Sequence, residues 1–151
     1  MRDSRTTPPE VSIVVPIYNE LENLPDLVER IHGAMATQPL SFELIAVDDG
    51  SSDGSAARLR ELAEGRPWLR AVCLVRNYGQ SAALQAGFDR VRGRYVVTLD
   101  ADLQNEPQDI PLLLQRLELG LRQLQRRCRR YLRAQVQFLK RLQRLRPALP
   151  E

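Results

Sequence analysis

Apolar residues fall along the chain in short continuous runs that alternate with helical stripes. Val11-Ser12-Ile13-Val14-Val15 is a β-branched run closed by Pro16, which predicts a buried strand. Asn19 to Pro25 reads as a turn and helix start, with Asn23 as N-cap and Pro25 tolerated in the first turn. Leu24, Leu27, Val28, Ile31 and Met35 then recur at helical spacing, and Gln38-Pro39 closes that helix. Residues 42–47 predict a second strand, residues 55–64 a helix with Gly65 at its C-terminal cap, and residues 69–75 a third strand. Gly79-Gln80-Ser81 leads into a helix carrying Leu84, Ala86, Phe88 and Val91, which Gly93 stops. Residues 95–99 predict a fourth strand, and Pro107 opens a helix with Ile110, Leu113, Leu114 and Leu117.

Strands and helices alternating in this order predict an α/β fold with a mostly parallel sheet flanked by helices. The strand runs are apolar throughout, as expected where helices cover both faces. Ligands of such sheets sit at the carboxyl ends of the strands. There the chain offers Pro16, Tyr18, Asn19 and Glu20 after strand one, Asp48, Asp49 and Ser51 after strand two, and Asp100, Asp102 and Gln104 after strand four. Four aspartates at one edge repel one another unless a cation lies among them, and a divalent ion is the simplest solution. Asp100-Ala101-Asp102 offers two hard carboxylates suited to Mg²⁺ or Mn²⁺, and the small Ala101 leaves room for a substrate. The competing reading is a loop with two capping aspartates.

The turn Asp48-Asp49-Gly50-Ser51-Ser52-Asp53-Gly54 resembles part of a calcium loop, but its twelfth position counted from Asp49 is Arg60, where a bidentate glutamate belongs. It reads better as a tight turn whose aspartates accept hydrogen bonds from a base or ribose, with Ser52 or Asp53 capping the next helix. After strand three, Arg76 is a candidate phosphate partner, and Gly79 allows close backbone approach at a helix start that favours anions. Neither GxGxxG nor a Walker loop occurs, which removes the main support for dinucleotide oxidoreductases and P-loop NTPases. His32 is the only histidine, is expected to face solvent, and excludes a histidine-based triad. Trp68 is expected to anchor the start of strand three.

Composition refines this picture. With 151 residues, 43% of them hydrophobic, the chain supports one domain with a core. Up to residue 120 it carries 12 arginines against 18 acidic residues; beyond it, 10 basic residues stand against Glu151 alone. An acidic body thus precedes a strongly basic tail. Cys73 and Cys128 stand in no metal spacing, and Cys73 is expected to be buried among apolar groups. Two thiols without a secretory leader fit a cytoplasmic location. No apolar run of 18 residues predicts a transmembrane segment.

Four segments together carry a family resemblance: Val14-Val15-Pro16-Ile17-Tyr18-Asn19-Glu20, Val47-Asp48-Asp49-Gly50-Ser51-Ser52-Asp53, Arg76-Asn77-Tyr78-Gly79-Gln80, and Leu99-Asp100-Ala101-Asp102-Leu103-Gln104-Asn105-Glu106-Pro107. In this order they resemble family 2 glycosyltransferases. The last two look like the polyprenyl-phosphate branch, which includes dolichyl-phosphate mannose synthase and the undecaprenyl-phosphate sugar transferases. The resemblance implies a Rossmann-like GT-A domain and transfer of a sugar from a UDP- or GDP-type donor to a polyprenyl phosphate, with inversion. It implies a nucleotide pocket lined by Pro16, Tyr18, Glu20 and Asp49, with Asp48 close by; Ser51, Arg76, Gly79 and Gln80 complete the expected nucleotide-sugar site. Asp100, Asp102 and Gln104 would surround the metal and diphosphate, with Asp100 and Asp102 as the catalytic pair.

The chain is therefore divided into a flexible leader (1–10), a nucleotide-sugar domain (11–120) and an Arg/Leu/Gln-rich helical tail (121–151). The tail departs from the family pattern. It reads as a basic amphipathic helix on an anionic membrane surface through residues 121–146, as a self-associating helix, or as non-native sequence after a frame change or truncation. The abrupt change and narrow composition favour the last. The alternative function is accordingly a nucleotide-binding fragment that transfers nothing. Nucleic-acid binding through the tail has little support: Tyr131 and Phe138 alone interleave its arginines.

Overall fold

The computed structural model describes residues 7–104 and 106–117. The chain divides into two compact units, Met1–Pro111 and Leu112–Glu151. The sheet lies in the first; of the second, residues 112–117 are described and are helical. The expected tail, residues 121–151, lies outside the described residues. Among the described residues no helix is long and apolar enough to cross a membrane.

The element order is β1 (Val11–Ile17), α1 (Leu24–Ala36), β2 (Phe42–Asp48), α2 (Ser55–Ala63), β3 (Leu69–Cys73), α3 (Gln80–Phe88) and β4 (Tyr95–Thr98). The strands form one parallel sheet in the order β3-β2-β1-β4. Two crossovers step away from β1 in one direction, and the third returns to its other side. With right-handed crossovers, α3 lies on the opposite face from α1 and α2. The reversal also opens a switch point between the carboxyl ends of β1 and β4, where doubly wound sheets bind ligands.

The core explains the continuous apolar strands. Val14, Ile45 and Val47 pack with Ala83 of α3, while α1 and α2 pack against each other. Gly87 lets α3 approach the sheet closely, because a Cβ there would overlap Val14 Cγ1. Strand β1 runs past Pro16 instead of ending there. Along a strand, N–H groups alternate in direction. Val14 accepts from Leu99 on the β4 side, so the N–H that Pro16 lacks would face the side where pairing with β4 has already stopped. Strand β3 ends at Cys73, short of the expected 75, and Val75 is 90% exposed. Helix α3 ends at Phe88, short of the expected Gly93 stop.

Several local expectations are corrected. Asn23 is the N-cap residue of α1, but its side chain makes no capping bond and donates to Glu20 Oε2 at 2.6 Å instead. Gly54 stands at the N-cap of α2, and Asp53 accepts from the Ser55 N–H beside it. His32 is half-buried and stacks on Trp68 with ring centroids 4.8 Å apart, so it packs against a neighbour instead of simply facing solvent. Cys73 is only half-buried, and desolvation pushes its thiol pKa up.

At the amino edge of the sheet, Glu43 is 1% exposed yet ionisable. Its Oε1 accepts from Ser12 Oγ at 2.7 Å and Arg92 N at 2.9 Å, and its Oε2 accepts from Arg92 Nη2 at 2.7 Å. Burial pushes the Glu43 carboxyl up, but the bonds from Arg92 and Ser12 outweigh it and hold the pKa below the ordinary value. Its stabilising contribution is therefore present above the unfolded value of 4.5 and is lost as pH falls through the lower native value. Glu43→Gln is expected to cost about 2–3 kcal/mol at neutral pH, as charged hydrogen bonds of this kind do. In denaturation at pH 7 and pH 3 the gap should shrink in acid; an equal gap at both would contradict the assignment.

Candidate functional site

All four strands deliver residues to one open cleft of about 440 Å³ at the carboxyl edge. Pro16, Ile17, Tyr18 and Glu20 come from the end of β1, and Asp49 from the residue after β2. Asn77, Gly79 and Gln80 come from the β3–α3 junction, and Asp100, Ala101 and Asp102 from the segment after β4.

Hydrogen bonds tie the loops to one another. Ser51 Oγ accepts from Asn19 N at 2.9 Å, and Asn19 Oδ1 accepts from Ser52 N at 2.9 Å. Ser55 Oγ accepts from Glu20 N at 3.0 Å, and Asp53 Oδ2 accepts from Leu21 N at 3.0 Å. Asn19 takes a left-handed backbone (φ 54°), which asparagine tolerates better than most residues. The Ser55 hydroxyl, bonded to Asp53 Oδ1 at 2.6 Å, holds the Asp53 pKa below its ordinary value.

Asp49 makes the next tie. It is 3% exposed, and its two oxygens accept from Tyr78 N and Gly79 N, each at 2.8 Å. The carboxylate thus holds the β3–α3 loop against the cleft. Asp49→Asn would set an amide donor against one of those N–H groups. The expected cost is about 1–3 kcal/mol, with protection of the Tyr78 and Gly79 amides falling in hydrogen exchange. Gln80 Nε2 donates to Asp100 Oδ1 at 3.1 Å, and Asp102 Oδ1 accepts from Gln104 N at 3.0 Å. Between them Leu103 sits at φ 60°, a conformation that costs a branched residue about 1–3 kcal/mol and so marks the segment as constrained.

Of the residues expected from sequence, Pro16, Tyr18, Glu20, Asp49, Gly79, Gln80, Asp100 and Asp102 line the cleft. Asp48, Ser51, Arg76 and Gln104 do not. Asp48 is buried below the rim, with Oδ2 accepting from Ser51 N and Oδ1 without a hydrogen-bond partner among the described residues. Ser51 supports Asn19, and the Arg76 guanidinium lies 4.8 Å from the Tyr78 ring centroid. Gln104 contributes its backbone N–H to Asp102. Asn77 lines the cleft without having been singled out, although it lies within the Arg76-Asn77-Tyr78-Gly79-Gln80 segment. Four convergent aspartates are not found: among the described residues no group of three His, Cys, Asp or Glu side chains is close enough to hold a metal.

A sequence model of "Glycosyl transferase family 2" matches residues 12–139. The chain belongs to glycosyl transferase family 2. The match runs beyond Pro107, where the last quoted segment ends, and past the expected domain boundary at residue 120. Within this family, the chain is 48% identical over 118 residues to the undecaprenyl-phosphate 4-deoxy-4-formamido-L-arabinose transferase of Klebsiella pneumoniae strain 342, covering 76% of this chain and 36% of the relative. It is 50% identical over 111 residues to the dodecaprenyl-phosphate galacturonate synthase of Rhizobium johnstonii, covering 72% and 32%. The chain thus spans about a third of the length of these curated relatives. Among solved structures, a mannosyltransferase from Pyrobaculum calidifontis in complex with GDP-Man and Mn²⁺ matches with TM-score 0.57 and 29% identity, covering 69% of this chain and 30% of that one. TarS from S. aureus, in complex with UDP-GlcNAc, shares the fold with TM-score 0.58 at 21% identity, covering 72% and 31%. This glycosyl transferase family 2 chain therefore carries the α/β fold of those neighbours in its first unit.

Proposed function

We propose that this chain carries the donor-binding part of an inverting glycosyltransferase, which moves a sugar from a UDP- or GDP-type donor to a polyprenyl phosphate of the undecaprenyl or dolichyl kind. The observation that carries the reading is that Asp100 and Asp102 line one cleft at the β1/β4 switch point together with Gly79 and Gln80 at the start of α3. The names of the two polyprenyl-phosphate relatives support the acceptor class.

Pro16, Tyr18, Glu20 and Asn77 would contact the nucleoside. The first turn of α3 opens on the cleft at Gly79 and Gln80, where a helix N-terminus favours the anionic diphosphate. Asp100 and Asp102 would hold Mg²⁺ or Mn²⁺, with Gln104 fixing the Asp102 orientation through its N–H. Two exposed hard carboxylates fit such an ion, because Mg²⁺ and its kin are commonly held by one or two carboxylates plus substrate phosphates. When bound, the ion stabilises the charge that grows on the leaving nucleoside diphosphate. The acceptor phosphate is already an anion at neutral pH, so little general-base assistance is needed. The cleft residues then have one main task, to orient the donor so that the acceptor reaches the opposite face of its anomeric carbon.

Residues 11–120 are assigned to the donor domain. The reading places the protein in the cytoplasm, peripheral at the membrane, with residues 121–146 as a candidate contact for an anionic surface. The second reading is a nucleotide-binding chain that transfers nothing. A panel of nucleoside diphosphates and nucleotide sugars with Mn²⁺, read by thermal shift, tests donor binding; transfer of radiolabelled sugar to undecaprenyl phosphate tests catalysis. Metal-dependent stabilisation by one base family is expected. Stabilisation by none of the panel would overturn the donor reading, and stabilisation without transfer would favour the second.

A further inference from the structure

Asp100 lies exposed at the rim, beyond β4, which is outermost in the sheet among the described residues and is itself only partly covered. The orientation of its carboxylate is therefore set by its bonded partners, Gln80 among them, rather than by burial. Gln80, which reaches it from another element, has a well-fixed base. It is the first residue of α3, and Gly79 before it has φ 96°, a backbone open essentially to glycine alone. The Gly79 N–H is in turn held by the buried Asp49. A run of contacts thus leads from the end of β2, through Asp49, Gly79 and Gln80, to Asp100 Oδ1 after β4. We propose that Gln80 is a positioning residue: its side-chain amide sets the orientation in which Asp100 meets a divalent ion and the donor diphosphate. The assignment rests on the donor-site reading above.

The chemistry of the side chain suits that task. A neutral amide donates one hydrogen bond without bringing a positive charge that would compete with the cation for the carboxylate. Its length brings the amide to 3.1 Å from Asp100 Oδ1, and a side chain one methylene shorter would draw the amide back from that oxygen. Gln80 is exposed and stands in the first turn of its helix, so alanine there is compatible with folding. Partners that orient metal ligands typically contribute 10–100-fold to metal affinity.

The test measures binding of UDP and GDP to the 151-residue chain, each in EDTA and in Mn²⁺, for wild type, Gln80→Ala and Gln80→Asn. In wild type, Mn²⁺ tightens binding. In both variants Tm is unchanged and the Mn²⁺ affinity of the nucleotide complex falls by about 10–100-fold, a larger loss than any in the metal-free Kd. A role confined to holding the loop together would instead weaken binding in EDTA and in Mn²⁺ alike. Full retention of the Mn²⁺ effect in either variant, or an equal loss without metal, overturns the positioning role and leaves the donor site standing. Absence of any Mn²⁺ effect in wild type overturns the donor site and this assignment with it.

Discussion

Asp102→Asn is expected to lower sugar transfer about 10²–10³-fold in a full-length enzyme carrying this sequence, the scale on which loss of one transition-state stabilising group acts. The substitution is nearly isosteric. The introduced amide keeps an oxygen that can accept from Gln104 N, so the local turn survives. What disappears is the negative charge facing the cation, and a neutral amide is a poorer ligand for a hard divalent ion. The loss should therefore appear in kcat at saturating Mn²⁺, with Tm within a degree or two of wild type. A wild-type rate under those conditions would remove Asp102 from the metal site.

Gly50→Ala is expected to have the largest effect on the fold around the cleft. A Cβ at position 50 would fall onto the carbonyl carbon of Arg76, within 2.5 Å of Asn77 N and 2.6 Å of Arg76 Cα. All of these are backbone atoms, so no side chain can rotate away. Gly50 also sits at φ 68°, which adds strain for any L-residue. Relief requires moving the 76–80 segment, and with it Asn77, Gly79 and Gln80 of the cleft wall. The expected cost is about 3 kcal/mol or more, a Tm drop of about 10 °C, with nucleotide binding lost. Gly33→Ala is the matched control. Position 33 lies within α1 with nothing within 4 Å of an added Cβ, so alanine there should stabilise by about 0.5–1 kcal/mol. Equal Tm values for the two variants would contradict the packing described at Gly50.

The positions of the strands were legible because β1 and β2 are covered on both faces and so read as unbroken apolar runs. Their ends were less legible. Leu74 and Val75 look like a continuation of β3, but composition does not tell a buried valine from one that is 90% exposed. Pro16 looked like a stop because its effect depends on which side of the strand has a partner. The cleft was legible as a set of strand ends, since chain order and the parallel sheet bring those ends together. Which residues of each motif face it was not. Asp48 and Asp49 are adjacent in sequence, yet one is buried below the rim and the other clamps the next loop. Arg76 carried the charge expected of a phosphate partner, but it stacks on Tyr78. Glu43 left no local signal because Ser12, Arg70 and Arg92 reach it from distant parts of the chain.

The account depends on a divalent ion and a diphosphate meeting between the start of α3 and the end of β4. Paramagnetic broadening by Mn²⁺ of the backbone amide resonances, recorded with saturating UDP or GDP, tests this directly. The prediction is selective loss of signal at Gly79, Gln80, Asp100, Ala101 and Asp102, with the amino-edge residues Glu43 and Arg92 unaffected and the pattern erased by Asp102→Asn. Broadening centred away from the cleft, or unchanged in that variant, would contradict it.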